Sequence, residues 1–321
     1  MLEEKIINAY KGMAYGRCDD NGTAFYFSVD DFDGLKREEY AFSSSLGHSL
    51  QGYIYSYDGY IQNRLVVFDH GMGGGHTAYM KEIERLCRHG FRVLAYDHTG
   101  CMESGGASTN GMAQSLRDLN DCLNAINSDV AFDGIDISVM GHSWGGFSSL
   151  NICKLHPEIS HVVVLSGFVS VEELINSYFG GIMKSYRKPI LELEKNANPD
   201  FVSYNAVESI KGSEAKFLLI YSANDKLCSK KHYDILKKGL ADRPNVKFIL
   251  KKNKGHNPNY TEDAVTYLGS YVKSKTKLMK KNALATFEQK KNFLSSFDWN
   301  RMTAQDEKVW NEIINFFNDF E

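Results

Sequence analysis

No run of 18 or more apolar residues occurs anywhere in the chain, so no segment reads as a membrane-spanning helix. The first residues, MLEEKIINAYKG, lack the basic stretch and apolar core of a secretory leader, and the expectation is a soluble, cytoplasmic protein. A dominant charge is missing too. With 37 basic and 40 acidic residues the net charge is -3, which argues against nucleic acid or strongly charged substrates as partners. Six cysteines, Cys18, Cys87, Cys101, Cys122, Cys153 and Cys228, show no C-x-x-C or zinc-like spacing. They read as reduced structural thiols, and neither a metal nor a cofactor is implied. At 321 residues the chain can bury a large core, and a single domain with excursions is expected.

What is present is an alternation. Residues 1–62 show short aromatic runs at 25–29, 40–44 and 50–57 between turn signals, a β-rich lead-in. Residues 63–69, NRLVVFD, form an apolar run of strand length that ends in His70-Gly71-Met72-Gly73-Gly74-Gly75, with a helical pattern following at 77–88. A strand at 91–96 precedes the Asp97-His98-Thr99-Gly100 turn, and a helix at 112–126 carries Leu116, Leu119, Leu123 and Ile126 on one face. Further strands are predicted at 137–140, 161–165, 216–221 and 246–251. Strands alternating with helices predict an α/β fold with a mostly parallel sheet flanked by helices, whose ligand site lies at the carboxyl ends of the strands. The rhythm breaks at 168–212, where helical patterns rich in Phe, Tyr, Ile, Met and Leu predict an inserted helical cap. After a helix starting at Thr261, residues 273–291 read as a Lys-rich connector, and a last helix is expected at 303–317 with Thr303 and Asp306 as a capping box. Residues 273–321 thus form a C-terminal extension.

The chemistry concentrates in Gly141-His142-Ser143-Trp144-Gly145, a G-x-S-x-G pentapeptide between a β-branched run and a helical one. Its glycines permit a turn too tight for β-carbons, which lifts the Ser143 hydroxyl out of the sheet. Serine is a weak nucleophile until a base takes its proton. Asp225 follows the strand at 216–221 and His256 follows the strand at 246–251, so a parallel sheet would bring both toward Ser143. In the order Ser, Asp, His, they suit a nucleophile, an acid that orients the imidazole, and a base. Asp225 would equally serve as a helix N-cap, and His256 as a solvated loop histidine. The glycine loop can aim the Met72 N–H, with the Trp144 N–H, at a developing oxyanion. That loop has neither G-x-G-x-x-G spacing nor a Gly-Lys-Ser/Thr ending, so nucleotide binding is not expected. His98, Cys101, Glu103, His142 and Cys228 border these residues and read as turn, packing or rim positions.

Taken together, His70-Gly71, the pentapeptide from Gly141 to Gly145, Asp225 and His256 resemble the α/β-hydrolase superfamily, of the serine esterase, lipase and aminopeptidase type. The resemblance covers roughly residues 40–270. It implies an α/β-hydrolase fold, a Ser143-Asp225-His256 triad, and an oxyanion hole from Met72 and Trp144. Asp97, Gly100 and Ser104 resemble the family's D-x-x-G-x-G-x-S segment, with Met102 in place of its second glycine. The expected activity is hydrolysis of small-molecule carboxylic esters of small or medium acyl groups. An aminopeptidase would need an acidic group for the substrate's amine, for which Glu172, Glu173, Glu192 and Glu194 are the cap candidates. Amide or thioester hydrolysis and a catalytically silent binding module are the other readings.

Overall fold

Six strands run parallel through the centre of the protein, in a computed structural model that describes residues 2–319. In chain order the strands are β1 (Lys36–Glu39), β2 (Phe42–Ser43), β3 (Ser49–Leu50), β4 (Gly52–Ser56), β5 (Arg64–Asp69), β6 (Arg92–Tyr96), β7 (Asp136–His142), β8 (His161–Leu165), β9 (Lys216–Ser222) and β10 (Val246–Lys251). The main sheet is ordered β1-β4-β6-β5-β7-β8-β9-β10, with β6 to β10 parallel and β1 and β4 added antiparallel at one edge. β2 and β3 make a separate two-stranded ladder.

Sequence dictates this burial directly. Runs such as His161-Val162-Val163-Val164-Leu165 are apolar on both pleat faces, as a strand covered by helices on both sides must be. Their alternate side chains divide the core in two: Val67, Val139, Val164 and Leu219 face one layer, while Phe68, Met140, Val163 and Ile220 face the other. The first layer receives α3 (Gln114–Ser128), α4 (Trp144–Asn151) and α8 (Lys230–Gly239). The second receives α2 (Met80–Arg88) and the last helix, α12 (Glu307–Phe317). That last helix buries Val309, Trp310, Ile313, Ile314 and Phe317, the apolar face its sequence predicts.

The excursion at 168–212 holds α5 (Val171–Tyr178), a 3-10 segment over Gly181–Tyr186, α6 (Arg187–Ala197) and α7 (Ala206–Lys211). Against it packs α1 (Leu2–Ala14), for which the sequence suggests only a partial helical period. Glu194 of α6 is fully buried at this junction, accepting from Tyr10 Oη at 2.7 Å and from the Met112 N–H at 2.8 Å.

Several expectations need correction. Residues 25–28 are not a strand, and Val29–Asp31 is a 3-10 turn capped by Ser28. The aromatic run packs instead on other rings, Phe25 meeting Phe27 at 5.1 Å and Trp299 at 6.0 Å between centroids. β1 escapes the pattern because all four of its residues are exposed and charged, as suits an edge strand. The Lys-rich stretch is no connector at first: α9 runs unbroken over Glu262–Lys280, its lysines solvated while Tyr271 meets Leu284, Phe293 and Met302 in a small separate core. Two short helices follow, α10 (Phe287–Ser295) and α11 (Trp299–Met302). The cap of α12 is Asp306 itself, accepting from Lys308 N and Val309 N, because the Thr303 hydroxyl donates to Trp299 O at 2.7 Å instead.

Candidate active site

β7 leads into α4 with no intervening loop, and the junction residue is Ser143, at φ 57° and ψ -109°. A non-glycine residue there carries steric strain that the surroundings must hold. The flanking glycines are required by contact: a β-carbon on Gly141 would run into the carbonyl of Gly145, and one on Gly145 into that of Asp69. Ser143 N–H donates to Leu165 O at 2.9 Å, and Gly145 N–H to His70 O at 3.1 Å, so β8 and the glycine loop grip both sides of the turn. The Ser143 hydroxyl shares the cavity wall with Cys228.

Asp225 and His256 come together. His256 Nδ1 lies 2.8 Å from Asp225 Oδ2, while Asp225 Oδ1 accepts from Leu227 N at 2.8 Å and Cys228 N at 3.1 Å. Asp225 is not the cap of α8, whose N-cap is Ser229: one of its oxygens holds the turn before that helix and the other faces the imidazole. The Asp225 side chain is fully buried and that of His256 is 16% exposed. The histidine loop is fixed at its near end by Lys254 N–H to Ser222 Oγ (3.1 Å) and Gly255 N–H to Asn224 Oδ1 (3.0 Å). Its far end is held by the C-terminal extension. Lys254 Nζ reaches Asp306 Oδ2 at 2.6 Å, Asp306 N–H donates to Asn259 O at 2.7 Å, and Thr261 N–H donates to Ala304 O at 2.9 Å. The sequence marked Asp306 as a helix cap but gave no sign that Lys254 would reach it.

His142, read from sequence as a rim residue, is a buried bolt between two loops. Tyr79 Oη accepts from the Gly71 N–H at 3.1 Å and donates to His142 Nδ1 at 2.7 Å; His142 Nε2–H then donates to His256 O at 2.9 Å. Burial, reinforced by nearby His256, pushes its pKa down to about 3. Neutral His142 supplies the one acceptor and one donor this chain demands. Neither the Met72 N–H nor the Trp144 N–H has a hydrogen-bond partner among the described residues.

Beneath the turn lies a cluster that sequence reasoning passed over. His98 is fully buried, with Nδ1 3.2 Å from Asp118 Oδ2 and Nε2 2.8 Å from Asp69 Oδ1, the latter an ion contact outside hydrogen-bond geometry. Tyr96 Oη and Ser148 Oγ also donate to Asp69, and the His98 ring stands 4.7 Å from that of Trp144. Burial alone would lower the His98 pKa, but the two carboxylates overcome it and raise it to about 10. Neighbouring His70 accepts the His98 N–H at 2.9 Å, and burial beside that charge pushes it down to about 3. Folded protein therefore keeps a proton on His98 that the unfolded chain releases near pH 6.5. The stabilisation from His98 is full below pH 6.5 and drains away as pH rises toward about 10. We expect the thermal midpoint to fall across that window, and the fall to be shallower in His98→Gln, which calorimetry at stepped pH would register. Equal slopes in the two proteins would show that His98 is not the group responsible.

In the turn after β6, Asp97 accepts from His76 N–H and His76 Nδ1, both at 2.8 Å. Met102, where the resembling segment has glycine, sits at φ 42°, so it adopts the backbone a glycine would favour. Ser143, His256, Met72 and Trp144 all line one cavity of about 360 Å³. Its apolar wall comes from α1 (Met13), from Met112 two residues before α3, and from the 168–212 excursion (Phe168, Leu174, Tyr178). No aspartate or glutamate lies among its described lining residues. Glu173 is paired with Lys231, Glu192 with Lys195, and Glu194 is buried away from the cavity.

Comparison with known proteins agrees with this architecture. Residues 61–208 match the serine aminopeptidase S33 family. Over 102 residues the chain is 28% identical to RutD, named as a carbamate hydrolase, of Agrobacterium fabrum, covering 31% of this chain and 36% of that one. Over 106 residues it is 32% identical to the 2-hydroxy-6-oxo-6-(2'-aminophenyl)hexa-2,4-dienoic acid hydrolase of Metapseudomonas resinovorans, covering 32% and 34%. The chain thus spans about a third of the length of these curated relatives. Among solved structures, the Pyrococcus furiosus esterase Pf2001 superposes with a TM-score of 0.59 at 20% identity, over 81% of this chain and 98% of that one. With the parallel sheet, the strained turn after β7 and these matches in hand, the chain has the α/β-hydrolase fold.

Proposed function

We propose that this protein is a serine hydrolase that cleaves carboxylic esters of small or medium acyl groups through an acyl-Ser143 intermediate. The observation that carries the reading is the 2.8 Å contact of His256 Nδ1 with buried Asp225, on a loop that shares the cavity wall with strained Ser143. With Nδ1–H directed at Asp225, His256 Nε2 is left as the base. It takes the Ser143 proton as Oγ attacks the ester carbonyl, and returns it to the departing alkoxide. Water, deprotonated by the same nitrogen, then attacks the acyl-enzyme and releases Ser143. Negative charge on the carbonyl oxygen falls to the Met72 and Trp144 N–H groups. Treating the purified protein with a fluorophosphonate should label Ser143 and no other serine, and Ser143→Ala should take no label. Labelling at equal extent in that variant would sink the reading.

The choice of ester over aminopeptidase substrates rests on the wall, which is apolar and offers no described carboxylate to hold a free amine. An acyl chain against Met112, Phe168, Leu174 and Tyr178 should gain about 0.8 kcal/mol for each buried methylene, or about fourfold in kcat/KM. Across p-nitrophenyl esters from acetate upward, kcat/KM should climb until the 360 Å³ cavity is full and then level or fall. Aminoacyl amides should be poor substrates. Strict dependence on a free α-amine, with no response to acyl length, would favour the aminopeptidase instead.

A further inference from the structure

Two cysteines that read from sequence as inert meet at the cavity. Cys18, on the segment after α1, and Cys101, in the turn after β6, form an isolated parallel bridge. Cys18 N–H donates to Gly100 O at 2.8 Å, and Met102 N–H donates to Cys18 O at 3.0 Å, which sets the two cysteines directly opposite. Opposed residues on neighbouring strands lie about 4.7–4.9 Å apart, inside the about 4.4–6.8 Å between α-carbons that a disulfide spans. The Cys18 thiol donates to Gly16 O at 3.9 Å, and the Cys101 thiol beside it is the largest influence on its ionisation.

The pair is asymmetric. Cys18 is half-buried and lines the cavity, whereas Cys101 is fully buried. Gly73, one residue beyond Met72, lines the same cavity as Cys18. The contact with Cys101, outweighing burial and aided by Gly73, brings the Cys18 thiol down to about 7. The same contact, with burial, pushes Cys101 up. An accessible thiol that ionises readily beside a second, sheltered thiol is the arrangement of an attacking and a resolving cysteine. Cys228 also lines the cavity, but burial pushes its thiol well up, and its neighbour is the Ser143 hydroxyl rather than a second thiol.

We propose that Cys18 is an oxidation site, at which hydrogen peroxide admitted by the cavity drives formation of a Cys18–Cys101 disulfide. The Cys18 thiolate attacks one peroxide oxygen and the O–O bond breaks. Hydroxide leaves and takes a proton as water, and Cys18 becomes a sulfenic acid. Cys101 sulfur then attacks Cys18 sulfur, the S–O bond breaks, and the departing hydroxide carries off the Cys101 proton as a second water. Two thiols are oxidised and one peroxide is reduced. The bridge draws Cys18 away from the cavity wall it shares with Met72 and Gly73 and so alters the support of the loop that carries Met72; this consequence, unlike the bridge itself, rests on the serine-hydrolase reading.

The test uses the reduced full-length protein and one equivalent of hydrogen peroxide, followed by alkylation of free thiols and peptide mapping. A Cys18–Cys101 linked peptide should be the main product and should vanish on dithiothreitol treatment. In Cys101→Ser, Cys18 should instead be trapped as a sulfenic acid by dimedone. Oxidation falling first on Cys228 or another cysteine, or Cys18 passing to a sulfinic acid with Cys101 still free, would overturn the proposal. Because these readouts are masses, they stand whatever Ser143 does. Fluorophosphonate labelling of the bridged protein should slow severalfold and recover on reduction, and unchanged labelling would refute the link to the Met72 loop.

Discussion

Ser143→Ala is expected to lower kcat for ester hydrolysis by about 10⁶, the size of loss seen when the nucleophile of a serine triad is removed. The protein should remain folded. Among the described residues the hydroxyl has no hydrogen bond to a charged group, so its removal leaves none unpaired, and the turn is held by main-chain bonds from Ser143 N and Gly145 N that alanine preserves. Circular dichroism and the thermal midpoint should therefore match the parent while turnover disappears. His256→Ala should cost about as much, and the double variant little more, since the two act as one device. A Ser143→Ala protein with parental kcat would place the nucleophile elsewhere in the chain.

Asp225→Asn should lower kcat by about 10⁴, for a reason visible in the two oxygens. Oδ1 accepts two backbone N–H groups, so an asparagine keeps its oxygen there and turns its amide toward His256 Nδ1. A donor then faces a donor. The imidazole escapes by moving its proton to Nε2, where it can no longer accept from Ser143. KM should change far less than kcat, because the cavity wall is untouched. Parental kcat in this variant would reduce Asp225 to the cap of its own loop.

How much of this was legible beforehand differs by element. β8 and β10 fall at the predicted residues because apolar runs of strand length are local signals. The members of the site were legible as residue types at strand ends, since a parallel sheet gathers such positions whatever their separation. What holds them was not. His98 is remarkable in no sequence window, and its raised pKa arises only because β5 and α3 bring Asp69 and Asp118 to its two nitrogens. His142 likewise gains its place from Tyr79, 63 residues earlier, and from a carbonyl 114 residues later. Hydrogen bonds of this kind depend on tertiary neighbours, and a single sequence has no pattern for them. The misreadings at 25–29 and 273–291 have the same origin, because Phe25 packs on Trp299 and Leu284 on Tyr271, Phe293 and Met302, tertiary contacts that no local pattern announces.

The far end of the histidine loop is secured by Ala304 and Asp306, which lie after every one of the gathered side chains in the order of synthesis. A nascent chain emerges N-terminus first, and its earlier parts fold while later ones are still being made. Ser143, Asp225 and His256 are thus all outside the ribosome while Lys254 and Asn259 still lack their partners. Geometry at the imidazole is a property of the completed polypeptide. A protease cut between His256 and Ala304 that let the later fragment leave the sheet would return the loop to that earlier, unfastened condition.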